Sequence, residues 1–80
     1  NYPNPFNSST KISYSISKSS FVSIKLYDLL GREIKTLVDE KRAPGSYLLD
    51  INTSGLSGGV YFIKMQADDF SAVRKIVYLR

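Results

Sequence analysis

The sequence predicts an all-β fold, a small antiparallel β-sandwich of about seven short strands. Three observations carry this. Apolar side chains recur with a period of two rather than 3.6. The composition favours β-branched and aromatic residues, with seven Ile, five Val, six Tyr and four Phe against three Ala, which suits a pleated, half-buried surface better than a helix. Turn-forming clusters interrupt the apolar runs at the spacing of short strands.

The opening segment, Asn1–Tyr2–Pro3–Asn4–Pro5–Phe6, differs from the rest. Two prolines one residue apart stiffen the chain and remove ladder donors. Residues 1–8 read as an extended lead-in from an upstream domain, with Tyr2 and Phe6 pinned on the core. The same segment is the candidate for a seventh, short edge strand. Residues 9–80 read as the folded unit. In the first strand Ile12, Tyr14 and Ile16 alternate with Lys11, Ser13, Ser15 and Ser17. After Lys18–Ser19–Ser20, a second strand alternates Val22, Ile24 and Leu26 with Ser23 and Lys25. Asp28–Leu29–Leu30–Gly31–Arg32 is a turn with Gly31 at a positive φ, and a third strand follows at 33–38. At most, Leu29–Leu30 adds a single helical turn. Ala43–Pro44–Gly45 is a strong turn. It leads into Tyr47, Leu49 and Ile51, alternating with Ser46, Leu48 and Asp50. A Gly- and Ser-rich stretch over 53–59 precedes a fifth strand at 60–67. Its apolar residues fall on both faces (Val60, Tyr61, Phe62, Ile63, Met65), as expected of a central strand. Asp68–Asp69 makes a tight connection to a last strand at 71–79. Serines are expected on outward faces and in turns.

Size and composition exclude most chemistry. Eighty residues make at most one domain. Burial of apolar surface supplies about 120 kcal/mol, and ordering the chain costs about the same. Such a domain folds by a small margin and has little room for an enclosed cleft. There is no Cys, so no disulfide or thiolate metal site. There is no His, so the commonest general base and metal ligand is missing. A Ser nucleophile therefore has no His base, and a Ser–Lys dyad would need a desolvating pocket. No apolar run is long enough for a transmembrane helix. The chain begins at Asn1 with no signal-peptide pattern and reads as part of a longer protein.

The net charge is +4, with Lys and Arg spread along the chain. Only Lys41–Arg42 and Arg74–Lys75 are adjacent basic pairs. This pattern fits a solvated surface that guards sheet edges better than a nucleic-acid interface; an anionic partner is the lesser reading. The acidic neighbours Asp39–Glu40 and Asp68–Asp69 point to opposite faces or lie in a turn, where Asp is favoured locally. A weak Ca²⁺ site near Asp28 or Asp68–Asp69 is the minor alternative. Gly55–Leu56–Ser57–Gly58–Gly59 precedes a strand, so it is no phosphate cradle. Asn7–Ser8–Ser9 and Asn52–Thr53–Ser54 match the glycosylation sequon, which matters only in a eukaryotic secreted protein. Asp28 and Arg32 bracket the second turn, as a cap and its cross-hairpin partner or as an exposed recognition tip.

Five motifs lie in order along the chain. They are Tyr2–Pro3–Asn4–Pro5–Phe6; Tyr27–Asp28–Leu29–Leu30–Gly31–Arg32–Glu33, a D-x-x-G-R turn; Pro44–Gly45–Ser46–Tyr47; Ser57–Gly58–Gly59–Val60–Tyr61–Phe62–Ile63–Lys64; and Arg74–Lys75–Ile76–Val77. Together they resemble the C-terminal sorting domain of type IX secretion cargo, the type A tail of Bacteroidetes and relatives. They are also similar to the Ig-like domain of flagellar hook-capping proteins. The resemblance covers nearly the whole chain. It implies an Ig-like sandwich at the end of a larger cargo protein, non-catalytic and without cofactor or metal. It implies an address read by the outer-membrane type IX machinery, with release or cell-surface anchoring after passage through the periplasm of a Gram-negative bacterium. A sortase-like protease then acts on the tail in many members.

Carried over by position, the recognition candidates are Asp28, Gly31, Arg32, Gly59, Tyr61, Arg74, Lys75, Val77 and Arg80. The terminal Arg80 stands where Lys is commoner. The physical form expected of such a signal is strand pairing at the last strand, where main-chain hydrogen bonds give affinity and alternate side chains give specificity. A monomer is expected, with no nucleic acid as partner. The alternatives are a structural module, as filament subunit or spacer beside a secreted enzyme, and a carbohydrate-binding module using Tyr as a stacking platform.

Overall fold

The computed structural model describes residues 9–52, 55–68 and 70–78. Among them are six strands and no helix. β1 (Ser9–Ile16) and β4 (Gly45–Asn52) form a two-stranded sheet. β2 (Ser20–Asp28), β3 (Glu33–Arg42), β5 (Gly59–Ala67) and β6 (Phe70–Tyr78) form a four-stranded sheet in the order β3-β2-β5-β6. Every pairing is antiparallel. The all-β sandwich expected from the alternation is therefore present. The candidate seventh strand and the lead-in at residues 1–8, including Tyr2 and Phe6, lie outside the described residues.

The alternating residues meet between the two sheets. Val22, Ile24 and Leu26 of β2, Tyr61, Ile63 and Ala67 of β5, and Val38 of β3 pack against Ile16 and Ile51 of the small sheet. Ile24, Leu26, Ile51 and Val22 are the largest fully buried side chains. β5 lies between β2 and β6, as its two-sided apolarity predicts. β6 adds no fully buried residue; Ile76 and Tyr78 only pack against the core margin.

The connections follow from their residues. Lys18–Ser19 crosses from the small sheet to the large one. Ser20 is the exception to outward-facing serines, because it is buried at this corner, and its hydroxyl donates to the Lys18 carbonyl at 2.9 Å. The β2–β3 hairpin turns at Asp28–Arg32 through hydrogen bonds and without a helical turn. Gly31 has φ +85°, a conformation that costs residues with a Cβ about 1–2 kcal/mol. Asp68, at φ 51°, opens the two-residue β5–β6 connection that its acidic pair predicts. β3 runs to Arg42, beyond the expected end at 38. Its charged stretch looks like a boundary in sequence, but Asp39, Glu40 and Lys41 all pair with β2.

Candidate functional site

The two edges of the large sheet differ in construction. On β3, the register with β2 shifts between Ile24 and Lys25 and again between Leu26 and Tyr27. Each shift leaves an extra residue on β3, first Leu37 and then Ile34. Bulges of this kind twist an edge and block further pairing. β6 has no such defence. Nine consecutive pairs, from Gly59–Tyr78 to Ala67–Phe70, run unbroken along β5. No strand among the described residues covers its other side. β6 contains no Pro or Gly, and Val73 and Val77 are 63% and 57% exposed.

The registers also fix what surrounds this edge. Tyr61 and Ile63 face the core, so Val60, Phe62 and Lys64 face outward beside Val77, Lys75 and Val73. On the same face, Tyr27 lies opposite Phe62, and Lys25 lies opposite Lys64. The outer face near β6 thus carries a row Lys25–Lys64–Val73, then Tyr27–Phe62–Lys75, then Val60–Val77. Arg74 turns to the inner side, at the mouth of a groove between β6 and the small sheet that Ile12, Tyr14 and Phe70 also line.

The remaining candidates gather at one end of the sandwich. Asp28, Leu30, Arg32, Gly59 and Tyr61 line one shallow depression there. Both oxygens of the Asp28 carboxylate are engaged within its own turn. Oδ1 accepts from the backbone N–H of Leu30 and of Arg32, both at 2.9 Å, and Oδ2 accepts from Arg32 Nε at 2.8 Å. The Arg32 backbone hydrogen bond does most to hold this carboxyl below its ordinary value; desolvation opposes it and the Arg32 side chain assists. The Gly31 N–H donates to the Asp28 carbonyl at 3.0 Å. Tyr61 is buried, and its hydroxyl donates to the Ser57 carbonyl at 2.7 Å, closing the loop before β5. These residues shape the hairpin end. Val77 reaches that end through its pairing with Val60, whereas Arg74 and Lys75 sit mid-strand. Arg80 lies outside the described residues.

Lys25, Lys64, Phe62 and Val73 are not among the recognition candidates that the sequence suggests. Alternation alone places Phe62 and Lys64 on one face. Their meeting with Tyr27 and Lys25 depends on a register between strands more than thirty residues apart, which no local signal records.

Tyr14 and Tyr47 do stack, with centroids 5.3 Å apart and planes at 20°. They lie between the sheets, half-buried, with the Arg42 guanidinium 5.0 Å from the Tyr47 ring centre. Burial pushes the Tyr14 phenol above its ordinary pKa. This pair is core margin and offers no open platform to a sugar.

The sequence profile of the family described as the secretion system C-terminal sorting domain matches residues 1–79. The chain belongs to this family. It is a C-terminal sorting signal for type IX secretion. The family is a sorting-signal family rather than a catalytic one, and the match favours neither the structural-module nor the carbohydrate-binding reading. Such a domain engages the type IX machinery and implies export across the outer membrane to the cell surface or medium in Bacteroidetes-type bacteria. The sorting domain matches no curated protein and no solved structure. The immunoglobulin-like comparison accordingly rests on layering alone.

Proposed function

We propose that the type IX machinery reads this sorting domain at the free edge of β6, by adding a strand to it. The observation that supports this is the contrast between the edges: β3 is bulged twice, and β6 is regular and, among the described residues, open along its outer side. Backbone N–H and C=O groups of an open edge supply affinity, and Arg74, Lys75 and Val77, with Arg80 beyond, supply specificity. Asp28, Gly31, Arg32, Gly59 and Tyr61 serve by holding the hairpin end next to Val77 in shape. The chain acts without catalysis of its own, as a monomer. Residues 1–8 join it to an upstream cargo domain, and a sortase-like protease separates the two after passage through the periplasm.

The test is a secretion assay in a host with the type IX machinery. The 80 residues are fused to a periplasmic reporter, beside a copy lacking residues 75–80. A third copy carries Leu48→Lys on the exposed face of the other sheet. Reporter at the surface or in the medium from the full domain and from Leu48→Lys, lost on truncation, is the expected result. Reporter secreted equally by the truncated copy would exclude β6 as the reading site.

A further inference from the structure

Nothing yet says what kind of strand β6 accepts, and the charges around it narrow the choice. β5 and β6 contain Lys64, Arg74 and Lys75 and not one carboxylate. The ion pairs among the described residues lie elsewhere: Lys11–Asp50, Lys25–Glu33, Arg32–Asp28 and Arg42–Glu40. Lys64 also stands directly opposite Lys25. Like charges in that position destabilise a sheet, and Glu33, 3.5 Å from Lys25, offsets only one of them. The edge therefore presents a positive centre with apolar positions on either side, Val73 before it and Ile76 and Val77 after it.

The same charges act against a second copy as the occupant. In the full nine-residue antiparallel register, β6 pairing with β6 sets Arg74 against Arg74. Sliding one strand by one residue toward the C-terminal end sets Arg74 against Lys75, and by two sets Lys75 against Lys75. The pair thus discourages self-association and favours its opposite.

Resting on the edge-pairing reading above, we infer that β6 selects an acidic, otherwise apolar strand of a partner protein, with Asp or Glu opposite Arg74 and Lys75 and apolar residues opposite Val73, Ile76 and Val77. A residue opposite Lys75 falls on the outer face, within the field of Lys64. A residue opposite Arg74 falls on the inner side, at the groove. One acidic pair in an extended segment satisfies both, because neighbouring residues of a strand point to opposite faces.

The test uses the 80-residue domain and fluorescent nine-residue peptides built from Val and Thr. One carries Glu–Glu at its centre, one Lys–Lys, and one Glu–Pro–Glu. Binding is read by anisotropy, and protection of β6 amides by hydrogen exchange. The Glu–Glu peptide is expected to bind roughly tenfold or more tighter than Lys–Lys, from two cross-strand charge pairs changing sign, and to protect β6. The double variant Arg74→Glu/Lys75→Glu, at two exposed positions, is expected to reverse that preference while keeping its circular dichroism spectrum.

Equal binding of both peptides, with no reversal, would overturn the acidic selection and leave edge pairing standing. No binding or β6 protection by either would overturn both. Glu–Pro–Glu binding as well as Glu–Glu would show simple charge attraction without strand addition, against both readings. Dextran sulfate displacing the Glu–Glu peptide without protecting β6, at concentrations where polyglutamate does not, would assign the cations to an anionic polysaccharide and overturn the acidic strand.

Discussion

A recognition edge must be one the fold can spare, and paired substitutions test this. Ile51 is 0% exposed and ties the two-stranded sheet to the core. Ile51→Ala removes three carbons, about 2.4 kcal/mol of transfer free energy at ~0.8 per methylene. The residual cavity raises the cost to about 2–5 kcal/mol. A domain of 80 residues is stable by only about 4–12 kcal/mol, so this one change takes a large fraction of the total. Val73→Ala removes two carbons, worth about 1.6 kcal/mol if fully buried. Val73 is 63% exposed, which reduces that to about 0.6 kcal/mol. At about 4–8 °C per kcal/mol for a domain of this size, Ile51→Ala lowers Tm by about 8 °C or more and Val73→Ala by a few degrees. Urea and thermal unfolding followed by far-ultraviolet circular dichroism and tyrosine fluorescence measure both. If Val73→Ala costs as much as Ile51→Ala, β6 is part of the stabilising core and the reasoning that makes it a spare edge is refuted. If the costs separate as worked here, any secretion defect of Val73→Ala is a defect of recognition.

Two further predictions concern the hairpin end. Gly31 at φ +85° has open space where a Cβ would stand, so Gly31→Ala costs conformational energy only, about 1–2 kcal/mol; a Tm unchanged or raised would contradict this. Asp28 has its carboxyl held below the ordinary value of 3.8, so its contribution to stability is present above that pH and is lost as pH falls through the lower, folded value. Urea midpoints measured from pH 6 down to pH 2 should therefore fall less steeply for Asp28→Asn than for the wild type, and identical slopes would show that the turn does not depend on the ionised carboxylate.

The legible parts of this fold are those written in local pattern. The alternation of Val22, Ile24 and Leu26 announces a half-buried strand, and all three are core residues. Gly31 and Asp28 declare their turn because only certain residues tolerate its dihedrals or cap its N–H groups. Two kinds of information are not local. One is the end of β3: Asp39, Glu40 and Lys41 read as a boundary, yet an edge strand carries charge on its open side without penalty. The other is register across long separations. Lys25 and Lys64 are each unremarkable surface lysines in sequence, and only the β2–β5 pairing sets them against each other, with Glu33 offsetting Lys25 alone. The candidate site shares this division. Arg74, Lys75 and Val77 are visible as a motif, whereas the face on which Lys75 joins Phe62 and Tyr27 is a product of the sheet.

On the edge-pairing proposal, the asymmetry between the edges is what lets so small a domain serve as an address. An open strand edge is a template for any strand, including a copy of itself, and a cargo-borne signal must avoid that outcome while folded. Covering both edges would solve the problem and silence the signal. This domain bulges one edge at Leu37 and Ile34 and leaves the other regular, with two cations at its centre. On that proposal the backbone of β6 supplies affinity that is indifferent to sequence, and Arg74 and Lys75 supply the discrimination. Since discrimination is a difference of affinities, the same two side chains act against self-pairing and in favour of an acidic partner. Neither is needed for the core, so selection on the signal can proceed with little effect on folding.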